Sequence, residues 1–102
     1  KIDVEGYEED VLRGGSSALT DGAISCIQFE YGENWKHAGS TLRGVVNYLE
    51  GYDFQVLLIR PDCLRKVRLD ELDEYFAYSN YVAVHDRVVD KISSLISPKP
   101  FP

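Results

Sequence analysis

The sequence has no methionine and only two cysteines among its 102 residues. Cys26 lies in an apolar run and Cys63 follows Pro61 and Asp62, so the two cysteines do not have the spacing of a metal-binding motif. Because no secretory context is visible, we expect two reduced thiols rather than a disulfide. The sequence therefore predicts no metal site built on cysteine.

Basic residues are also few, with 11 lysines and arginines against 17 acids and a net charge of −6. No basic stripe is available to neutralise phosphates, which argues against binding to nucleic acid. The longest apolar runs, such as Val56–Ile59, are far too short to span a bilayer. Walker, zinc and G-x-G-x-x-G patterns are missing as well. We expect a cytoplasmic protein whose partners include neither nucleic acid nor membrane.

Strand and helix patterns alternate along the chain. Strands are predicted at residues 1–4, 23–31, 53–60, 64–69 and 81–85, and helices at residues 7–13, 41–50 and 86–96. The stretch 23–31 is apolar almost throughout, as in a strand covered on both faces. This order predicts an α/β fold with a largely parallel sheet, in which the strand at 81–85 has the freedom to run antiparallel.

Local signals place the helix boundaries. Leu42, Val45, Val46 and Leu49 have helical spacing, and Ser40 or Thr41 is in position to cap their helix. Asp86 is expected to cap the last helix. Residues 32–40 are predicted to form a loop, and residues 97–102 an exposed tail.

The chain opens inside a predicted strand, and Lys1 is not an initiator residue. We expect a piece of a longer protein, with one edge of the sheet left open. An open edge is a place where partner strands or a second copy of the chain can add. One hypothesis is therefore a non-catalytic interaction module that binds a protein through this edge.

Three acidic residues end the first two predicted strands. Asp3 and Glu5 occupy the carboxyl end of the first strand and Glu30 that of the second, at the edge where ligands bind in open parallel sheets. Such carboxylates orient a cationic group, bind a divalent cation or act as a general base. Alternatively, Asp3 or Glu5 caps the next helix and Glu30 pairs with an arginine. A metal-dependent hydrolase built on these three acids has too few visible ligands.

The segment after the second strand holds Tyr31, Trp35 and His37. These residues are of the types that line a substrate pocket, and His37 is a candidate base for a hydroxyl proton. The structural alternatives are a tryptophan that anchors the loop to the sheet and a histidine exposed to solvent. His85 ends a strand and is expected to be structural.

The stretches KIDVEGYEEDVLRGG, IQFEYGENW, GYDF and NYVAVH together resemble the FkbM family of S-adenosylmethionine-dependent methyltransferases. The resemblance runs from Lys1 to about Asp86. It implies the C-terminal half of a doubly wound, Rossmann-like sheet, mostly parallel with one antiparallel strand, with residues 1–96 forming the domain from its fourth strand onward. The last strand would lie between its two predecessors.

The resemblance also implies a function. Asp3 and Glu5 would lie beside the transferring methyl group, Asp3 also contacting S-adenosylmethionine, and Glu30 would end the fifth strand. The acceptor would be a hydroxyl group of a sugar, a polyketide or a related small molecule. The glycine-rich loop and the acidic residue that hold the cofactor in the family's first two strands are absent, so this chain alone is expected to be inactive.

Overall fold

The computed structural model describes residue 1 and residues 8–67 and 78–97. Three predictions lie outside these residues: the strand at residues 1–4, the end of the strand at 64–69 and the exposed tail beyond residue 97. The site residues Asp3 and Glu5 also lie outside them.

The described part of the chain forms short helices around a four-stranded sheet. Its elements are α1 (Glu8–Gly14), α2 (Ser16–Thr20), β1 (Cys26–Tyr31), α3 (Glu33–Ala38), α4 (Leu42–Glu50), β2 (Phe54–Ile59), β3 (Leu64–Lys66), β4 (Ser79–His85) and a 3₁₀ segment, Asp86–Leu95. No helix among the described residues is long and apolar enough to cross a membrane.

The sheet has the strand order β1-β4-β2-β3, and every pair of neighbouring strands in it is antiparallel. The prediction of a mostly parallel, Rossmann-like sheet is therefore wrong for the described residues. The more specific expectation for the last strand is confirmed, because β4 lies between β1 and β2 and runs antiparallel to both. β1 and β2 thus point in the same direction, but β4 separates them.

Two local features are in keeping with the antiparallel arrangement. Along β1, exposed or half-buried residues alternate with buried ones, so the strand is covered on one face and not on both. After β2, the chain reverses within a tight turn, where the Arg60 N–H donates to the Cys63 carbonyl at 2.9 Å. This turn returns β3 beside β2 as a hairpin, which requires antiparallel pairing.

The hydrophobic core lies between α4 and one face of the sheet. The four predicted core residues of α4, namely Leu42, Val45, Val46 and Leu49, are all fully buried. They pack with sheet residues that include Phe29, Tyr31, Phe54, Val56, Leu58, Tyr81 and Ala83. Thr41 caps α4, since its Oγ1 accepts a hydrogen bond from the Gly44 N–H at 3.0 Å. The helical spacing in the sequence therefore located this helix and its buried face correctly.

Three other local predictions were wrong. Part of the predicted loop 32–40 is helical, forming α3. The last helix is a 3₁₀ segment that contains no buried residue, in keeping with the poor helix propensity of its β-branched and serine residues. Its N-terminal cap is His85 and not Asp86, because His85 Nδ1 accepts a hydrogen bond from the Arg87 N–H at 3.2 Å. The structural role expected for His85 is confirmed by this contact.

Candidate functional site at the carboxyl end of β1

Glu30 is the centre of a hydrogen-bonded polar cluster where β1 ends and β4 begins. Its side chain is half-buried, and it lies directly opposite Asn80 in the register of the two strands. The Tyr78 hydroxyl donates to Glu30 Oε1 at 2.8 Å. Asn80 Nδ2 in turn donates to the Tyr78 hydroxyl at 3.3 Å. We call Glu30, Tyr78 and Asn80 the polar cluster.

The backbone of Glu30 is held as firmly as its side chain. Trp35, in α3, donates from Nε1 to the Glu30 carbonyl oxygen at 3.0 Å. This bond satisfies a polar group in a largely apolar setting, where an unpaired indole N–H would be costly. The short helix α3 therefore fixes the end of β1 that carries the carboxylate.

An aromatic cluster packs at this end of β1, within the hydrophobic core. It consists of Phe29, Tyr31, Trp35 and Tyr81, all of them buried. The Tyr31 and Trp35 rings meet edge to face with their centroids 5.1 Å apart. Phe29 stacks on Tyr81 at 5.6 Å and on Trp35 at 6.0 Å. These geometries are favourable for aromatic pairs and make the base of the site rigid.

Two of the predicted acceptor-binding residues belong to this core. Trp35 is 1% exposed, and Tyr31 is equally buried. The anchoring role considered for Trp35 agrees with its hydrogen bond to the Glu30 carbonyl. Contact between these rings and an acceptor stays a prediction. In the described arrangement Trp35 contacts Glu30 through its indole, and Tyr31 packs against Trp35.

His37, the candidate base, lies on the exposed surface of α3. Among the described residues, no hydrogen bond or ion pair brings it to Glu30 or to the other members of the polar cluster. Its proposed role, like those of Asp3 and Glu5, stays a prediction. The structure therefore joins Glu30, Tyr31 and Trp35 through contacts, whereas none of its described hydrogen bonds or ion pairs links His37 to Glu30.

Sequence reasoning missed Tyr78 and Asn80. Tyr78 is 48 residues from Glu30 in the chain, so no local pattern connects the two side chains. A weak signal for Asn80 was present, since a polar residue at the start of a strand lies opposite the end of an antiparallel neighbour. Asn80 can be placed opposite Glu30 only once the pairing of β1 with β4 is known.

The polar cluster offers both donors and acceptors of hydrogen bonds. A carboxylate accepts through two oxygens, whereas an amide and a phenol each donate and accept. Such a set is suited to hold a hydroxyl group, which itself donates one hydrogen bond and accepts others. Among the described residues, no group of three histidine, cysteine or acidic side chains is placed to hold a metal ion.

An apolar cavity of about 250 Å³ lies beside the other end of β1. Its lining consists of Lys1, Val11, Leu12, Gly15, Leu19, Ile24, Cys26 and Ile27. Cys26, although it lies in an apolar run of the sequence, is largely exposed at the start of β1, and its thiol is free. The partial burial of Cys26 raises the pKa of its thiol, so that less of the reactive thiolate is present at neutral pH.

Comparison with known protein families matches residues 1–56 to the methyltransferase FkbM domain. The matched part contains β1, with Glu30, and α3, with Trp35. This match defines the class of protein as a methyltransferase. The chain belongs to the FkbM methyltransferase family, as the sequence resemblance indicated. Comparisons with curated proteins and with solved structures found no match.

The described residues do not by themselves fit S-adenosylmethionine. Folds that bind a nucleoside hold its ribose through a carboxylate that accepts from the ribose hydroxyls. The described lining of the apolar cavity contains no carboxylate. The predicted cofactor contact, Asp3, lies outside the described residues.

Proposed function

We propose that this chain is part of an S-adenosylmethionine-dependent methyltransferase that methylates a hydroxyl oxygen of a small molecule, such as a sugar or a polyketide. The observation that carries the proposal is the family match over residues 1–56. The polar cluster supports the choice of a hydroxyl acceptor, because its mixed donors and acceptors complement a hydroxyl group.

In this proposal, the described residues form the acceptor side of the enzyme. The Glu30 carboxylate accepts a hydrogen bond from an acceptor hydroxyl and so fixes the direction of that oxygen. Catalysis of a direct displacement depends mainly on such alignment. Trp35 contributes by holding the Glu30 backbone in place.

The test is methyl transfer by the protein expressed from its complete coding sequence. Methyl-labelled S-adenosylmethionine would be offered together with a panel of neutral sugars and polyketide alcohols. We expect labelled product from at least one acceptor. Glu30→Gln should lower kcat/KM about 10- to 100-fold, which corresponds to the loss of one hydrogen bond to a charged group.

Glu50→Gln is the matched control, because Glu50 is an exposed acid at the end of α4, remote from the polar cluster. This variant should transfer methyl groups at the wild-type rate. Equal loss of activity in Glu30→Gln and Glu50→Gln would mean that the net charge of the protein, and not the position of Glu30, determines activity. Absence of methyl transfer to every acceptor would contradict the proposed reaction.

A further inference from the structure

Tyr78 combines a fixed polar end with an open aromatic ring. The residue is 71% exposed, although a large aromatic side chain usually gains from burial. Its hydroxyl nevertheless has two partners within the polar cluster, Glu30 and Asn80. The ring is therefore held in one place while its face remains open to a ligand.

We propose that Tyr78 is a specificity-determining residue that selects a neutral acceptor bearing hydroxyl groups on a ring. The open ring face packs against the acceptor ring, and the hydroxyl holds the Glu30 carboxylate in the orientation that receives the acceptor hydroxyl. This inference rests on the proposed function, since it assigns the acceptor of that reaction to this cluster.

The charge of the polar cluster determines which acceptors it would prefer. Glu30 carries the one formal charge of the cluster, and a negatively charged acceptor would be repelled by it. A cation would use the carboxylate and the ring face, but it would not use the Asn80 amide N–H that is left over from the bond to Tyr78. A neutral ring with several hydroxyl groups uses the donors, the acceptors and the ring face together.

The local geometry indicates the face from which such a ring would approach. Gly32, immediately after β1, is the neighbour of Tyr78, and a Cβ atom at position 32 would lie 3.8 Å from the Tyr78 Cα. Glu30 and Asn80 face each other across the antiparallel pair, so their side chains project from the same face of the sheet. The acceptor would approach from this face, away from the aromatic cluster.

The inference is tested by NMR titration of the ¹⁵N-labelled protein with methyl α-D-glucopyranoside as the neutral probe. Shifts should concentrate at Glu30, Tyr78 and Asn80. Tyr78→Ala should weaken binding about tenfold, and Tyr78→Phe, which keeps the ring but loses the hydroxyl, about threefold. Tyr52→Phe is the matched control, since Tyr52 lies before β2 at the other end of the sheet, and it should bind like wild type.

Two charged probes check the preference: the corresponding methyl glucuronoside, an anion, and tetramethylammonium, a cation. We expect both to bind more weakly than the neutral glucoside. Tighter binding of either probe, equal binding by Tyr78→Ala and wild type, or no shift at the polar cluster would overturn the inference.

Methyl transfer separates this inference from the proposed function. Tyr78→Phe should raise the KM for the acceptor and also lower kcat, because the Glu30 carboxylate that aligns the acceptor loses its hydrogen bond from Tyr78. The KM for S-adenosylmethionine should stay unchanged. If the Tyr78 variants remain active and their KM for the acceptor is unchanged, only the proposed role of Tyr78 in acceptor selection is contradicted. Glucoside binding at the cluster without any methyl transfer would instead sink the proposed reaction.

Discussion

Single residues at the end of β1 show how a carboxylate is given one orientation. Glu30 is fixed through its strand register, through the Tyr78 hydroxyl and through the Trp35 indole. The sequence alone identified Glu30 as a site candidate, because its position at a strand end depends only on the local pattern. Its partner Tyr78 was not predictable, because that contact depends on which strand pairs with β1.

A second residue-scale feature is the close approach at the start of α4. Gly44 donates its N–H to Thr41 Oγ1, and a Cβ atom at position 44 would lie only 2.9 Å from that oxygen. An alanine there would displace the Thr41 side chain from its capping position. The glycine therefore makes the cap possible, although glycine within a helix is itself unfavourable.

We predict that the effect of Gly44→Ala on the free energy of unfolding depends on the residue at position 41. In the wild-type background, the gain in helix propensity and the loss of the cap, each about 1 kcal/mol, should nearly cancel. In a Thr41→Ala background no cap remains to be lost, so Gly44→Ala should stabilise the fold by about 0.5–1 kcal/mol. Urea unfolding of the four variants measures the coupling.

Thr41→Ala alone serves as the reference and should cost about 1 kcal/mol. If Gly44→Ala stabilised the protein equally in both backgrounds, Thr41 and Gly44 would not be coupled, and the assigned cap would be wrong.

At the scale of elements, helices were more predictable than strand directions. α4 was located from the spacing of its apolar residues, since that pattern directly reflects one buried face. β1 looked like a strand covered on both faces because Ala23–Ile27 is nearly all apolar. In the structure Cys26 is exposed, and from there buried residues alternate with exposed or half-buried ones. The apolar composition therefore wrongly indicated a strand covered on both faces and, with it, a parallel sheet.

Arg87 is the main polar link between the 3₁₀ segment and the turn before β1. Its Nη2 donates to the carbonyl oxygens of Gly22 and Ile24 at 3.0 and 2.9 Å, and to Ser25 Oγ at 2.9 Å. These contacts join parts of the chain that are more than 60 residues apart. They hold the exposed 3₁₀ segment, which has no buried residue of its own, against the sheet.

We predict that Arg87→Ala lowers the free energy of unfolding by about 1–2 kcal/mol. All three hydrogen bonds start from the single nitrogen Nη2 and are exposed, so together they should contribute little more than one good hydrogen bond to a charged group. Arg87→Lys should recover only part of this loss, since an ammonium cannot reproduce the planar fork. Both are measured by urea unfolding.

Lys91→Ala is the control on the same segment, because Lys91 is exposed, and it should change the free energy of unfolding by less than about 0.5 kcal/mol. Equal effects of Arg87→Ala and Lys91→Ala would show that the contacts of Arg87 do not stabilise the segment.

For the whole molecule, the family could be predicted from the sequence, and so could the place of the last strand. β4 lies between β1 and β2 as the resemblance implied, and the family match covers residues 1–56. The pairing of every described strand as antiparallel was not predicted, because strand direction depends on contacts between segments that are distant in sequence.

This arrangement bears on which substrate of the methyl transfer the described residues would bind. In the proposed function, the described residues present hydrogen-bonding groups for an acceptor at the carboxyl end of β1, beside the buried aromatic cluster. They do not on their own provide a site for the methyl donor. The central claim is therefore that this acceptor side works within a protein that binds S-adenosylmethionine.

The most direct test of that claim is calorimetric titration of the protein, expressed from its complete coding sequence, with S-adenosylmethionine and with S-adenosylhomocysteine. We expect saturable binding of both at one site per chain, unchanged by Glu30→Gln because Glu30 is proposed to bind the acceptor. A folded protein that binds neither compound would contradict the account.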